Sequence, residues 1–82
     1  TFFVYILYSV PHDRYYIGQT NSLESRLERH NKGYVKSTKT YRPWQLVYSE
    51  VFRTRAESMK REGFLKSLKL KTTIKKLVDS SR

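Results

Sequence analysis

The chain opens on an unbroken apolar run. Phe2, Phe3, Val4, Tyr5, Ile6, Leu7 and Tyr8 leave no polar face, so Thr1 to Tyr8 predicts a strand covered on both sides, in the middle of a sheet. Pro11, His12 and Asp13 supply a turn, and Tyr15, Tyr16 and Ile17 return as a second strand, completing a hairpin. Asn21 predicts a helix start, because its side chain can cap free N–H groups and Glu24 stands three positions on as a capping partner. Ser22 to Lys32 holds no breaker, and Gly33 supplies the stop. Tyr34 to Arg42 is a loop rich in Lys, Ser and Thr. Pro43 closes it, and Trp44 to Phe52 follows as a third strand. Thr54 with Glu57 makes a second capping box ahead of a helix over Arg55 to Ser67, and a last helix spans Lys71 to Asp79.

The pattern therefore predicts an α/β chain of the α+β kind. A small three-stranded, mostly antiparallel sheet is flanked by three helices in the order ββαβαα. No repeat, linker or low-complexity stretch interrupts it, and 82 residues suit one domain over 1–82. A chain this short buries only roughly 60% of its unfolded surface, so its core has to be dense and aromatic. Seven Tyr, four Phe and one Trp supply that density.

Charge narrows the function. Seventeen Lys and Arg against seven Asp and Glu leave a net charge of +10, an excess that suits a polyanionic partner. DNA or RNA is the first candidate, an anionic membrane the second, and a merely soluble basic protein the bland alternative. No helix pairs a basic face with a Trp or Phe face, which argues against the membrane. The absence of cysteine excludes disulfides and thiolate metal sites and suits the cytoplasm. No apolar run nears the roughly 18 residues of a membrane span, and the opening run lacks the flanks of a signal peptide.

Several residues carry candidate chemistry. Tyr5 and Tyr16 lie on adjacent strands, and they share a face only if paired residue numbers sum to an odd number. The alternative is that both are core aromatics, a reading that Gly18 beside Tyr16 weakens for that residue. Gly18 inside a strand marks a close approach by a ligand or by other protein atoms. Arg26 and His30 are four apart on one helix face. At about 100° per residue, His30 falls about 20° and Arg26 about 60° from Leu23, at the edge of the buried stripe. The alternatives are an Arg26 stem lying along apolar surface and a structural His30.

No two of the seven acids form a sequence pair suited to a two-metal site. One carboxylate can still hold one Mg²⁺, which keeps several waters and takes further oxygens from phosphate. Glu62 flanks Ala56, Met59 and Gly63, a small and apolar face expected to meet the core. The bland alternative is an exposed Glu62–Lys66 pair. From Arg53 to Lys76 stand nine basic residues, Lys60 and Lys66 among them, able to neutralise phosphates. Lys36, Lys39 and Arg42, beside Tyr34 and Tyr41, offer a basic loop with aromatics for stacking on bases.

Together these motifs resemble the GIY-YIG nuclease family. Phe3-Val4-Tyr5 stands where the family has Gly-Ile-Tyr, and Tyr16-Ile17-Gly18 matches its second tripeptide. Arg26 and His30 lie in the run Leu23-Glu24-Ser25-Arg26-Leu27-Glu28-Arg29-His30-Asn31, and Arg61-Glu62-Gly63-Phe64-Leu65-Lys66 resembles the family's Glu-bearing helix. The likeness spans nearly the whole chain and is nearest to short, free-standing bacterial members. It implies a metal-dependent endonuclease that hydrolyses DNA phosphodiesters with one Mg²⁺ or Mn²⁺ on Glu62. Tyr16 or Tyr5 would orient and deprotonate the water, and Arg26 would hold the phosphate. His30 would contact the phosphate or assist proton transfer, with Gly18 and Gln19 beside the nucleic acid. DNA, branched or nicked among its forms, is the implied partner, with repair or recombination the setting and a targeting protein a further partner. Two departures stand out: Phe3 and Val4 replace the first two residues of the first motif, and Gln19 occupies a position where several members carry Lys. The alternative is a nucleic-acid-binding module of the same fold that is catalytically weak or inactive.

Overall fold

A computed structural model describes residues 1–68 and 70–81. In chain order the elements are β1 (Phe2–Ser9), β2 (Arg14–Thr20), α1 (Leu23–Asn31), a 3₁₀ turn (Lys39–Tyr41), β3 (Gln45–Phe52), α2 (Arg55–Ser67) and α3 (Lys71–Ser80). This is the ββαβαα order read from the sequence. The apolar first strand is central, in the order β2-β1-β3, and both pairings are antiparallel. Val4 and Ile6 are fully buried, as a strand covered above and below requires. Asp13 turns the hairpin with φ 51°, a conformation Asp tolerates, and accepts from Tyr8 Oη at 2.7 Å.

Alternation along β1 assigns the cover. Tyr5 and Leu7 point to one face with Trp44, against Leu23 and Leu27 of α1. Ile6 points to the other, against Ile74 and Val78 of α3. Helix α2 lies on this second face, over polar ground. Arg61 donates to Glu50 of β3 through Nε at 2.8 Å and Nη2 at 2.9 Å, and Tyr48 also donates to Glu50. Ser58 Oγ donates to Gln19 Oε1 of β2 at 3.4 Å. The β1–β3 register shifts between Ile6 and Leu7, leaving Val47 as an extra residue on β3.

Two local expectations need correction. The cap of α1 is Ser22 rather than Asn21, its side chain accepting from Ser25 N at 3.4 Å. Thr20 Oγ1 takes the Ser22 N–H at 3.1 Å, so the chain turns one residue later than predicted. The second capping box does form, with Glu57 N donating to Thr54 Oγ1 at 3.2 Å and Thr54 N to Glu57 Oε1 at 3.3 Å. The inward face of α2, however, is not Ala56, Met59 and Gly63. Ala56 and Gly63 are exposed, Met59 is 54% exposed, and a Cβ at Gly63 would meet nothing within 4 Å. Ser58 and Leu65 are buried instead, with Arg61 and Glu62 half-buried beside them. The reason is the ground below: Glu50 and Gln19 draw Arg61 and Ser58 inward through an ion pair and hydrogen bonds, and Leu65 is buried on the same helix.

Candidate active site

The hairpin register decides where the tyrosines point. Every β1–β2 couple sums to the same odd number, and Tyr5 pairs with Gly18 while Leu7 pairs with Tyr16. Both rings therefore lie on the α1 face, with centroids 6.4 Å apart. Gly18 is the floor on which Tyr5 rests. A Cβ there would stand 2.4 Å from Tyr5 Oη and 2.6 Å from Cζ, so only glycine admits the ring. The close approach anticipated at Gly18 is thus made by the Tyr5 phenol, and the residue itself is buried.

Helix α1 brings His30 onto the same ground. Its Nε2 lies 3.0 Å from Tyr5 Oη and its Nδ1 2.8 Å from Thr38 Oγ1. The Tyr16 ring packs on it, with centroids 4.9 Å apart. His30 is fully buried, which rules out direct contact with a phosphate in this state. Burial first, then the Arg26 and Arg29 cations, push its pKa down to about 4, so the ring is neutral near pH 7. Arg26, one turn earlier, is half-buried and makes no ion pair among the described residues. Its guanidinium is free to meet an anion.

Tyr5 senses the rest of the constellation. Burial raises its pKa well above the usual phenol range, the Tyr16 phenol and the Glu62 carboxylate push it the same way, and Arg26 opposes them. Glu62 reaches this electrostatic field from α2, on the opposite side of the sheet. Tyr5 spans Gly18 on the edge strand β2. Arg26 is the one neighbour that draws the Tyr5 pKa down, and burial outweighs it.

Glu62 is 21% exposed, and Lys66 Nζ lies 3.2 Å from its Oε2. The i,i+4 pair weighed as the bland alternative is therefore present, on a carboxylate turned inward rather than into solvent. Among the described residues no group of three or more His, Asp or Glu gathers around a point. A divalent ion here would take one hard carboxylate from the protein and complete its shell with water and phosphate oxygens, which suits Mg²⁺.

The remaining sequence candidates are scattered. Gln19 is turned to the α2 face, against Ser58 and away from both tyrosines. Lys36, Lys39 and Lys60 are exposed. Arg42 is held over Gly33, whose φ is +81°, and its Nε donates to Lys39 O at 2.8 Å. Tyr34 is 65% exposed and open to stacking. Tyr41 is committed to the protein, edge-on to His12 and under the Arg14 guanidinium. Sequence reasoning missed Thr38, which is 1% exposed and touches His30 directly. A threonine in a polar loop carries no signal of its own.

Comparison with known proteins gives the family. The model of the GIY-YIG catalytic domain matches residues 1–76. A UPF0213 protein of Staphylococcus saprophyticus is 41% identical over 61 residues, covering 73% of this chain and 74% of that protein. A UPF0213 protein of Staphylococcus aureus is 40% identical over 66 residues, covering 79% of each. The solution NMR structure of a UPF0213 protein from Bacillus halodurans superposes with a TM-score of 0.56 at 27% identity, covering 93% of this chain and 81% of that one. A match over residues 1–76 places this chain in the GIY-YIG family, whose domain points to a nuclease-type hydrolase that acts on DNA and generally uses a divalent metal.

Proposed function

We propose that the chain is an endonuclease that hydrolyses DNA phosphodiesters with one Mg²⁺ or Mn²⁺ at the β2 edge. The observation that carries this reading is the 3.0 Å contact between Tyr5 Oη and His30 Nε2, with Arg26 and Glu62 both in electrostatic reach of that phenol. A phenol alone is a poor base near neutral pH, because little of it is ionised. Paired with a neutral imidazole it need not ionise in advance. The attacking water gives its proton to Tyr5 Oη while Tyr5 gives its own to His30 Nε2. The water oxygen forms its bond to phosphorus, the bond to the leaving oxygen breaks, and that oxygen takes a proton from solvent.

Arg26 is the residue suited to the phosphate, since its planar fork matches two oxygens and among the described residues it has no carboxylate partner to leave. Tyr16, whose hydroxyl makes no hydrogen bond among the described residues, is left to orient the water or the phosphate. Glu62 would hold the metal, which when bound offsets charge growing on the phosphate and the leaving oxygen. Of the two phenols, the contact with His30 favours Tyr5 as the proton carrier.

The test uses supercoiled plasmid with Mg²⁺ or Mn²⁺. The expected result is nicked circles with the wild type and none with Glu62→Ala at matched DNA occupancy. Binding without nicking, unchanged in Glu62→Ala, would replace the enzyme with a nucleic-acid-binding module of the same fold.

A further inference from the structure

We infer that Thr38 is a positioning residue of this site: its hydroxyl fixes His30 in the Nδ1–H tautomer and leaves Nε2 bare to receive the proton of Tyr5. The inference rests on the proton-transfer role proposed for the Tyr5–His30 pair.

Three hydrogen bonds in series carry it. Tyr5 Oη meets His30 Nε2 at 3.0 Å, His30 Nδ1 meets Thr38 Oγ1 at 2.8 Å, and Thr38 Oγ1 donates to Val35 O at 3.3 Å. A hydroxyl has one proton. With that proton on Val35 O, the Thr38 oxygen accepts, so His30 Nδ1 must bear hydrogen. A neutral imidazole has one N–H, so Nε2 is the acceptor and the Tyr5 hydroxyl the donor. The reverse direction is chemically worse. Among the described residues the Tyr5 hydroxyl has no other partner, so a hydrogen on Nε2 would leave the phenol proton without a protein acceptor. It would also make the weakest acid of the three groups donate to the ring while the phenol only accepts. Run forward, every donor has an acceptor and the chain ends on a carbonyl, an arrangement in which each bond polarises the next.

Thr38 is itself held in place. Its carbonyl accepts from the Trp44 indole Nε1 at 3.0 Å and from Tyr41 N at 3.1 Å, and its own N–H donates to Val35 O at 3.1 Å. Asn31, the last residue of α1, grips the Trp44 backbone from both sides, donating to its carbonyl at 3.0 Å and accepting its N–H at 2.6 Å. The loop after α1 is thus tied to the helix that carries His30, and its fixed point is the threonine. This gives the 34–44 segment a task besides connection: it presents one hydroxyl oxygen to one ring nitrogen. A free neutral histidine favours hydrogen on Nε2, so the Nδ1–H form is a signature and not a default.

The test reads the ring first and catalysis second. Long-range ¹H–¹⁵N spectra at pH 7 are expected to show His30 as the Nδ1–H tautomer in the wild type and in Thr38→Ser. In Thr38→Val, which keeps the shape and removes the hydroxyl, the Nε2–H form is expected to appear. Plasmid nicking by Thr38→Val is expected to fall on the order of tenfold or more with DNA affinity unchanged, and Thr38→Ser is expected to restore it. An Nε2–H ring in the wild type overturns the inference, whatever the variants do. So does a Thr38→Val protein whose tautomer and rate both match the wild type. Should the wild type not nick DNA, the proposed activity fails, while the spectra still decide what Thr38 does to His30.

Discussion

Lowering the pH tests the placement of His30 without changing the sequence. The ring is fully buried, and its pKa falls from an ordinary 6.5 to about 4. The unfolded chain takes up this proton near pH 6.5, and the folded chain only near pH 4. Above 6.5 neither state binds it, and stability is at its full value. Between the two values the unfolded state binds more protons, so stability falls as acid is added. A gap of about 2.5 units at about 1.36 kcal/mol each amounts to about 3 kcal/mol, of which about 2 kcal/mol is gone by pH 5. That is a large share of the about 4–12 kcal/mol typical of a chain this long.

Other shifted groups act in a lower window. Lys71 and then Tyr8 hold Asp13 below its usual range, Lys32 does so for Glu28, and at Glu50 burial is outweighed by Arg61 and Tyr48. What these carboxylates add is present above their unfolded values and lost only below about pH 4.5. Urea unfolding between pH 7.5 and 5 therefore isolates the histidine. The expected result is a fall of about 2 kcal/mol in the wild type at constant m-value, and a flat profile over the same range in His30→Gln. A flat wild-type profile, or a His30 ring that titrates near 6.5 by NMR, would refute the reasoning.

Gly18→Ala is expected to lose about 1–3 kcal/mol through overpacking against the Tyr5 ring, and to abolish the contact with His30; urea midpoints and the His30 ring resonances report each. Arg61→Met leaves the Glu50 carboxylate half-buried and without its guanidinium, and a loss of about 1.5–3 kcal/mol is expected in the same unfolding assay. With a net charge of +10, DNA binding is expected to weaken steeply as salt rises, and Lys36→Ala with Lys39→Ala is expected to flatten that slope in fluorescence titrations. A slope unchanged by the double substitution would remove the 34–44 loop from the DNA surface.

The parts legible in the sequence were those fixed by period and punctuation. Seven apolar residues in a row left β1 nowhere to go but the middle of the sheet, and the Thr54–Glu57 box set the start of α2 to the residue. The inward face of α2 was not legible, because the sheet beneath it presents Glu50 and Gln19, and a wheel that counts apolar residues cannot see a polar floor. The shared face of Tyr5 and Tyr16 hung on register, which a turn of uncertain length leaves open by one residue. Of the candidate site, Arg26, His30 and Glu62 are reachable through helix spacing and family motifs. Thr38 was not, since its part depends on where the loop returns, which Asn31 and Trp44 determine through hydrogen bonds that no local pattern encodes.

The claim that Tyr5 and Glu62 serve one reaction from opposite faces of the sheet is tested most directly by a mutant cycle in single-turnover plasmid nicking. Tyr5→Phe and Glu62→Gln are each expected to slow nicking about a hundredfold or more, and the double variant to be no slower than the slower single, as for groups that act as a unit. Nicking by either single at the wild-type rate, or two losses that multiply in the double, would contradict it.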